Sequence, residues 1–397
     1  MYVSESALKI ISVLNNRGFK AYIVGGCVRD SLLGLTPSDW DICTSALPSE
    51  VIDAFLEYKV IPTGIEHGTV TVIIDKLPIE ITTFRGDGSY SDNRHPNSVE
   101  FFSHVKYDLA RRDFTINAMA YSQQEGLIDL YDGRKDLNNK IIRCVGEPKT
   151  RFNEDSLRIL RALRFAAIYN LKIEEKTACA IHLCRENLSR ISGERVQSEL
   201  FKFISSSYCD KFIQEYYDVF SSALGVYCKG VNNCSLNELP DNIYIRLFGF
   251  IYILFEGSNE DLHSFCSKVL SRLKVSRQIN KKILTLAKLF ISSVPSTLAE
   301  TRRKVGDVGL SLYKDFLILY EHFIKADCSP VRKYIREIED NNLCCTVSQL
   351  DLNGNDIIAL NIVQNKDIGF LLKKALDMVI DQNLTNDKNI ILENLFV

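Results

Sequence analysis

The sequence predicts an α+β protein, in which a small mixed sheet with helices over residues 1–145 is followed by a long all-helical remainder. Two observations predict this. Short β-rich runs separated by Gly, Pro and Asp are confined to the first segment. From Glu154 onward apolar residues recur at helical spacing, as at Leu157, Leu160, Leu163 and Ile168.

The expected strands, in order, are Ala21–Val24, Trp40–Cys43, Thr69–Ile74, Ile79–Phe84 and Leu127–Leu130. The helical part has candidate breaks at Ser205–Tyr208, Ser293–Ser296, and Ser329 with Pro330, and shows no short repeat or low-complexity tract. With 397 residues, 46% of them hydrophobic and 25% charged, the chain can bury more than one core.

Composition narrows the class. The longest apolar stretch, Leu247–Phe255, is far shorter than the roughly 20 residues a spanning helix needs. Met1–Phe19 carries Glu5 and lacks a basic segment followed by an apolar core, so no secretory signal is expected. Twelve scattered cysteines without a CxxC pair read as reduced thiols of a cytoplasmic protein. A net charge of −2 argues against a chain coated with nucleic acid, yet leaves room for a local basic groove.

The first chemical feature is Val24-Gly25-Gly26-Cys27-Val28-Arg29-Asp30, which follows the first strand and leads into an expected short helix at Ser31–Gly34. Two glycines there let backbone N–H groups approach a triphosphate, and Arg29 can grip a phosphate oxygen with its fork. By itself such a segment is more often just a tight turn.

Asp39 and Asp41 flank Trp40 on the next expected strand, where residues two apart share a face. Hard carboxylate oxygens so placed suit Mg²⁺, and two ions there would activate a 3′-hydroxyl and neutralise a departing diphosphate. Glu80, out of phase with Ile79 and Ile81, is a candidate third carboxylate or an ordinary solvent-facing acid.

A second feature is the run from Arg151 to Arg164, read as one helix with Glu154 and Asp155 near its start. Asp155, Arg158, Arg161 and Arg164 step by three along a polar stripe. Cytosine and adenine each present an exocyclic amine donor beside a ring-nitrogen acceptor, whereas uracil and guanine reverse that arrangement. An Asp acceptor beside an Arg donor therefore admits CTP and ATP and rejects UTP and GTP without a nucleic-acid template.

These motifs, in this order, resemble the bacterial class II CCA-adding enzymes of the polymerase-β nucleotidyltransferase superfamily, from Ala21 to about Ile204. The resemblance implies a polymerase-β-type nucleotidyltransferase head at 1–145, a base-recognising neck at 146–208, a helical body at 209–300 and a tRNA-binding tail at 301–397. It implies catalytic Asp39 and Asp41, preceded by Gly25, Gly26, Arg29 and Asp30 in the first motif, while Glu80 stays a candidate third carboxylate on its strand phase alone. Arg111, Arg112, Asp113 and Asn117 match the family's ribose-selecting motif. Glu154, Asp155, Arg158 and Arg161 match its templating motif, and Ile191, Ser192, Glu194, Arg195, Glu199 and Leu200 a supporting helix. The polar segment Asp87–Pro96, with Tyr90, Asp92 and Arg94, matches a flexible loop that switches between C and A addition. The implied partners are CTP, ATP and the tRNA 3′ end, held from acceptor stem to elbow, with no membrane.

Bacterial poly(A) polymerases and enzymes adding only the terminal A share this chemistry and remain alternatives. Thr63–Val72 resembles the CCA-adding version. An inactive RNA-binding protein on the same fold is the alternative from another class, disfavoured by intact Asp39, Asp41 and Arg112. No histidine precedes an aspartate, so an appended phosphohydrolase activity is not expected.

Overall fold

A computed structural model describes residues 3–62, 64–87, 99–231, 235–359, 367–382 and 384–396. The chain forms two compact units. One comprises Met1–Asn233 with Glu256–Ser258 and Arg272–Lys274, the other Cys234–Phe255, Asn259–Ser271 and Val275–Val397.

The first unit begins with α1 (Glu5–Asn16), β1 (Ala21–Val24), α2 (Gly26–Leu32), β2 (Asp41–Thr44), α3 (Pro48–Ala54), β3 (Lys59–Ile61), β4 (Thr69–Ile74) and β5 (Leu77–Thr83). There follow β6 (Arg85–Asp87), β7 (Val99–Phe101), α4 (Val105–Ala110), β8 (Met119–Ser122), β9 (Gly126–Asp129), α5 (Gly133–Asn138) and β10 (Ile141–Ile142). Its last elements are α6 (Pro148–Glu154), α7 (Leu157–Tyr169), β11 (Lys172–Ile173), α8 (Glu175–Cys184), α9 (Gly193–Ile204), α10 (Cys209–Glu215) and α11 (Tyr217–Leu224).

Seven strands form one mixed sheet in the order β3-β4-β5-β2-β1-β8-β9, with β2 and β5 parallel and the other neighbours antiparallel. β1 is central and buried on both faces, so its Ala-Tyr-Ile-Val run is continuous rather than alternating. β4 alternates as a half-buried strand does, with Val70, Val72 and Ile74 inside. Asp75 (φ 51°) and Lys76 (φ 65°) take left-handed conformations and turn β4 into β5.

Two expectations are corrected here. The helix expected at Ser31–Gly34 begins at Gly26, so Arg29 lies in its middle. The single helix expected from Arg151 to Arg164 is two. Asp155 is extended (φ −143°, ψ 103°), and its Oδ1 accepts the Leu157 N–H at 3.0 Å, offering the backbone a partner other than the helical one. α7 is also buried nearly all round: Leu157, Leu160 and Leu163 are inside as expected, Ile168 is exposed, and Arg158 and Arg164 are buried.

The second unit is helical among its described residues, with α12 (Ile243–Phe255), α13 (Leu262–Leu273), α14 (Arg277–Phe290), α15 (Leu298–Val308), α16 (Leu310–Ile324), α17 (Ser329–Asp340), α18 (Gly354–Ala359), α19 (Ile368–Asp381) and α20 (Lys388–Leu395). The expected breaks after Ile204 and Phe290 are present, and so is the third, between Ile324 and Ser329, with Ser329 and Pro330 opening α17, where proline's missing N–H costs nothing. The apolar run Leu247–Phe255 lies in α12, whose Phe248 and Tyr252 pack on Phe290 at 4.8 and 5.2 Å between ring centroids. No described helix is long and apolar enough to cross a membrane.

Candidate functional site

β1 ends at Val24 and is followed by Gly25, whose φ of 81° a side chain would strain. A Cβ at Gly25 would also stand 2.7 Å from Arg112 Nη1, so any side chain there would have to displace that guanidinium. The Gly25 N–H is spent on Met119 O (3.1 Å), which fixes the turn to β8.

Asp41 opens β2, opposite Glu80 of the parallel strand β5. Asp39 lies in the bend before the strand, accepting from Ser38 Oγ at 3.1 Å, so the two aspartates do not share a ladder as their spacing suggested. They are nonetheless in electrostatic reach. Burial first, and then the charge of Asp39 with a smaller part from Glu80, pushes the Asp41 carboxyl up to about 6, against an opposing pull from Arg112.

Among the described residues no three His, Cys, Asp or Glu side chains form a metal-holding group. Glu80 therefore does not complete a three-carboxylate cluster. The donor set still fits Mg²⁺, which commonly takes only one or two carboxylates and fills its sphere with substrate phosphates and water. Crowded acids, opposed by Arg112, are what an incoming divalent ion would relieve.

Arg112 is held by Asp108, which is fully buried and bonds Arg111 (2.7 Å) and Arg112 (2.9 Å) one helical turn further on. The sequence reading missed Asp108, although its i,i+3 and i,i+4 spacing from the two arginines was a usable signal.

Arg29 is buried and directs three nitrogens inward: Nε to Asp30 Oδ1 (2.9 Å), Nη1 to Asn117 Oδ1 (2.6 Å) and Nη2 to Tyr169 Oη (2.6 Å). Its expected part as a free phosphate-gripping fork is thus corrected to that of an internal anchor. Asn117 in turn donates to Asp113 (3.1 Å), and Asp113 accepts from Arg161 Nε (2.8 Å). Burial alone would raise the Asp113 carboxyl, but Arg161 and Asn117 outweigh it and hold it at about 2.

A carboxyl held below its unfolded value of about 3.9 adds stability above that pH and loses it as pH falls toward 2. Asp113→Asn is expected to lower unfolding free energy at pH 7 by about 2 kcal/mol, and the gap from wild type should close between pH 4 and 2. Denaturant unfolding across that range checks this; a gap independent of pH would remove the charge assignment.

On α6 and α7, Asp155 Oδ2 accepts from Arg195 (2.8 Å). Arg158 bonds Glu154 (2.8 Å) and donates to Arg111 O (3.2 Å), while Glu154 also takes Arg151 at 2.8 Å. The break at Asp155 takes it off the face Arg158 shares with Arg161. Arg164 pairs with Glu199 (2.8 Å), which also stands 3.6 Å from Arg161. Gly26, Asp39 and Glu80 complete the predicted set within this unit, while Asp92 and Arg94 lie outside the described residues, as does Thr63.

Family profiles match at two places: the Poly A polymerase head domain over residues 21–143, and the probable RNA and SrmB-binding site of polymerase A over residues 170–218. The CCA-adding enzyme of Ligilactobacillus salivarius is 34% identical, the match covering 98% of this chain and 95% of that protein. That of Oceanobacillus iheyensis is also 34% identical, covering 98% and 97%. Among solved structures, the Bacillus stearothermophilus CCA-adding enzyme in complex with CTP superposes with a TM-score of 0.78 at 27% identity, over 99% of this chain and 96% of that one. A CCA-adding enzyme in complex with ATP gives 0.70 at 25% identity, over 98% and 92%. With full-length matches of this kind on a polymerase-type head and helical extension, the chain belongs to the CCA-adding enzymes, a family of nucleotidyltransferases.

Proposed function

We propose that this chain adds C, C and A to the 3′ end of tRNA from CTP and ATP, releasing diphosphate at each addition and using no nucleic-acid template. One observation carries the reading: the acidic pair Asp39 and Asp41 and the arginine-lined neck helix occur in one compact unit. The helix that follows the Gly25 turn is tied to that arginine-lined helix through Arg29, Asn117, Asp113 and Arg161.

In this reading Asp39 and Asp41 hold Mg²⁺, which when bound lowers the pKa of the attacking hydroxyl and neutralises triphosphate charge. Gly25 and Gly26 let the backbone approach the phosphates, with Arg112 beside them. Asp113 and Asn117 fix the sugar side of the site. Asp155 accepts the exocyclic amine of the base while Arg158 donates to its ring nitrogen. Glu154, Arg161 and Arg164 hold that pair in place, so reaction partners meet in one orientation.

The proposal extends to a head at 1–145, a neck at 146–208, a body at 209–300 and a tail at 301–397 that holds the tRNA elbow, and to a cytoplasmic site of action. The latter is supported by eleven described cysteines that are free thiols.

The test is incubation of tRNA lacking its 3′ end with labelled CTP and ATP, together and singly, followed by product sequencing. C-C-A with both, and C-C with CTP alone, is the expected result. Addition of A alone to a C-C end, long A tails, or tRNA binding without incorporation would each replace the proposal.

A further inference from the structure

α7 ends at Tyr169, where Asn170 (φ 51°) turns the chain out of the helix. From that fixed end the phenol reaches the segment after β1. It accepts from Arg29 Nη2 at 2.6 Å and donates to Asp30 Oδ1 at 2.9 Å, the same oxygen that accepts from Arg29 Nε at 2.9 Å. Three side chains close a ring of hydrogen bonds. The Arg29 guanidinium also stacks on the Tyr169 ring (4.5 Å to the centroid) and on that of Phe165 (5.0 Å), one turn earlier on the same helix.

Arg29 is therefore tied to α7 twice, directly through Tyr169 and indirectly through Asn117, Asp113 and Arg161. The two routes meet α7 at different heights, Arg161 and Tyr169, two turns apart. One tie alone would leave α7 free to tilt about it. The two together set its orientation to the Gly25–Asp30 segment.

We propose that Tyr169 is a positioning residue for nucleotide binding: its hydroxyl and ring lock the base-reading helix to the Gly25–Asp30 turn, so that both ends of a nucleoside triphosphate meet preset partners. The proposal rests on the function inferred above. A nucleotide gripped at phosphates and base gains from both contacts only where the distance between them is already set. If it is not, binding must order the site first and affinity falls.

The effect should therefore appear in nucleotide affinity, for CTP and ATP alike, and not in the choice of base. Tyr169→Phe keeps the ring beneath Arg29 and removes only the two hydrogen bonds; Tyr169→Leu removes the ring as well. Steady-state kinetics with tRNA ending at its discriminator base or in C-C, together with calorimetric CTP binding and thermal melting, provide the readouts.

Tyr169→Phe is expected to raise KM for CTP and for ATP on the order of fivefold, and Tyr169→Leu by more, with kcat within about twofold of wild type, as lost preorganisation requires. The tRNA KM and the preference for CTP over UTP should not change. A wild-type KM for both nucleotides in Tyr169→Phe overturns the proposal. So does a fall in kcat with unchanged KM and a parallel loss of melting temperature, which marks a merely structural residue. A wild-type enzyme that incorporates neither nucleotide would instead overturn the inferred function, so the two failures are distinguishable.

Discussion

Asp41→Ala is expected to lose at least about three orders of magnitude in nucleotide incorporation, because removing a metal ligand forfeits several kcal/mol of charge stabilisation and each 1.36 kcal/mol is tenfold in rate. tRNA affinity should remain that of wild type. Asp41 stands at the start of β2, partly buried, with Asp39 before it and Glu80 across the parallel ladder. Like charges gathered at one place and partly withdrawn from water favour unfolding. The alanine variant should accordingly melt at the wild-type temperature or above it, trading function for stability. Incorporation at saturating Mg²⁺ and a thermal melt measure both halves of this expectation. An Asp41→Ala enzyme within tenfold of wild type would end the metal assignment. A lowered melting temperature would mean the carboxylate supports the fold.

The parts of this architecture that are legible from residues alone are those governed by local periodicity. β4 is readable because Val70, Val72 and Ile74 alternate with more polar neighbours, and the helical remainder because its apolar spacing persists. Less legible are β8 and the short β6, β7, β10 and β11, whose strand character depends on neighbours distant in sequence: Met119–Ser122 pairs with β1 and β9. The break at Asp155 was hidden for a related reason. Its flanks read as one helix, and the extended Asp155 between them, whose carboxylate accepts the first N–H of α7, leaves no mark on the apolar spacing.

For the site, residue types were readable and partners were not. Arg29 has the chemistry of a phosphate ligand, yet Asn117 and Tyr169, far along the chain, turn it inward. Tyr169 itself carries no sequence signal, because a tyrosine closing an apolar helix reads as core.

The second large effect concerns base choice and falls on Asp155 and Arg158. Arg158 is buried, with Glu154 and the Arg111 carbonyl as partners, while Asp155 is held from the other side by Arg195. The Asp acceptor and the Arg donor are thus braced by separate groups, and each can be altered without releasing the other. Asp155→Asn keeps size and can still accept the Leu157 N–H, but it gives up the bond from Arg195 and puts an amide donor where only an acceptor stood. Uracil offers an acceptor at the position of cytosine's amine, so this variant should shift preference from CTP toward UTP by about one to two orders of magnitude, the worth of 1–3 kcal/mol for a mismatched buried group. Arg158→Ala should lose discrimination without reversing it and, because Glu154 and the Arg111 carbonyl lose a donor, should also destabilise the unit by about 1–3 kcal/mol. Competition between CTP and UTP on tRNA lacking its 3′ end, read by product sequencing beside a denaturation curve, separates the two variants. If Asp155→Asn retains wild-type nucleotide choice, the base is read by other groups, since no other substitution at this position changes an acceptor into a donor at so little cost in shape.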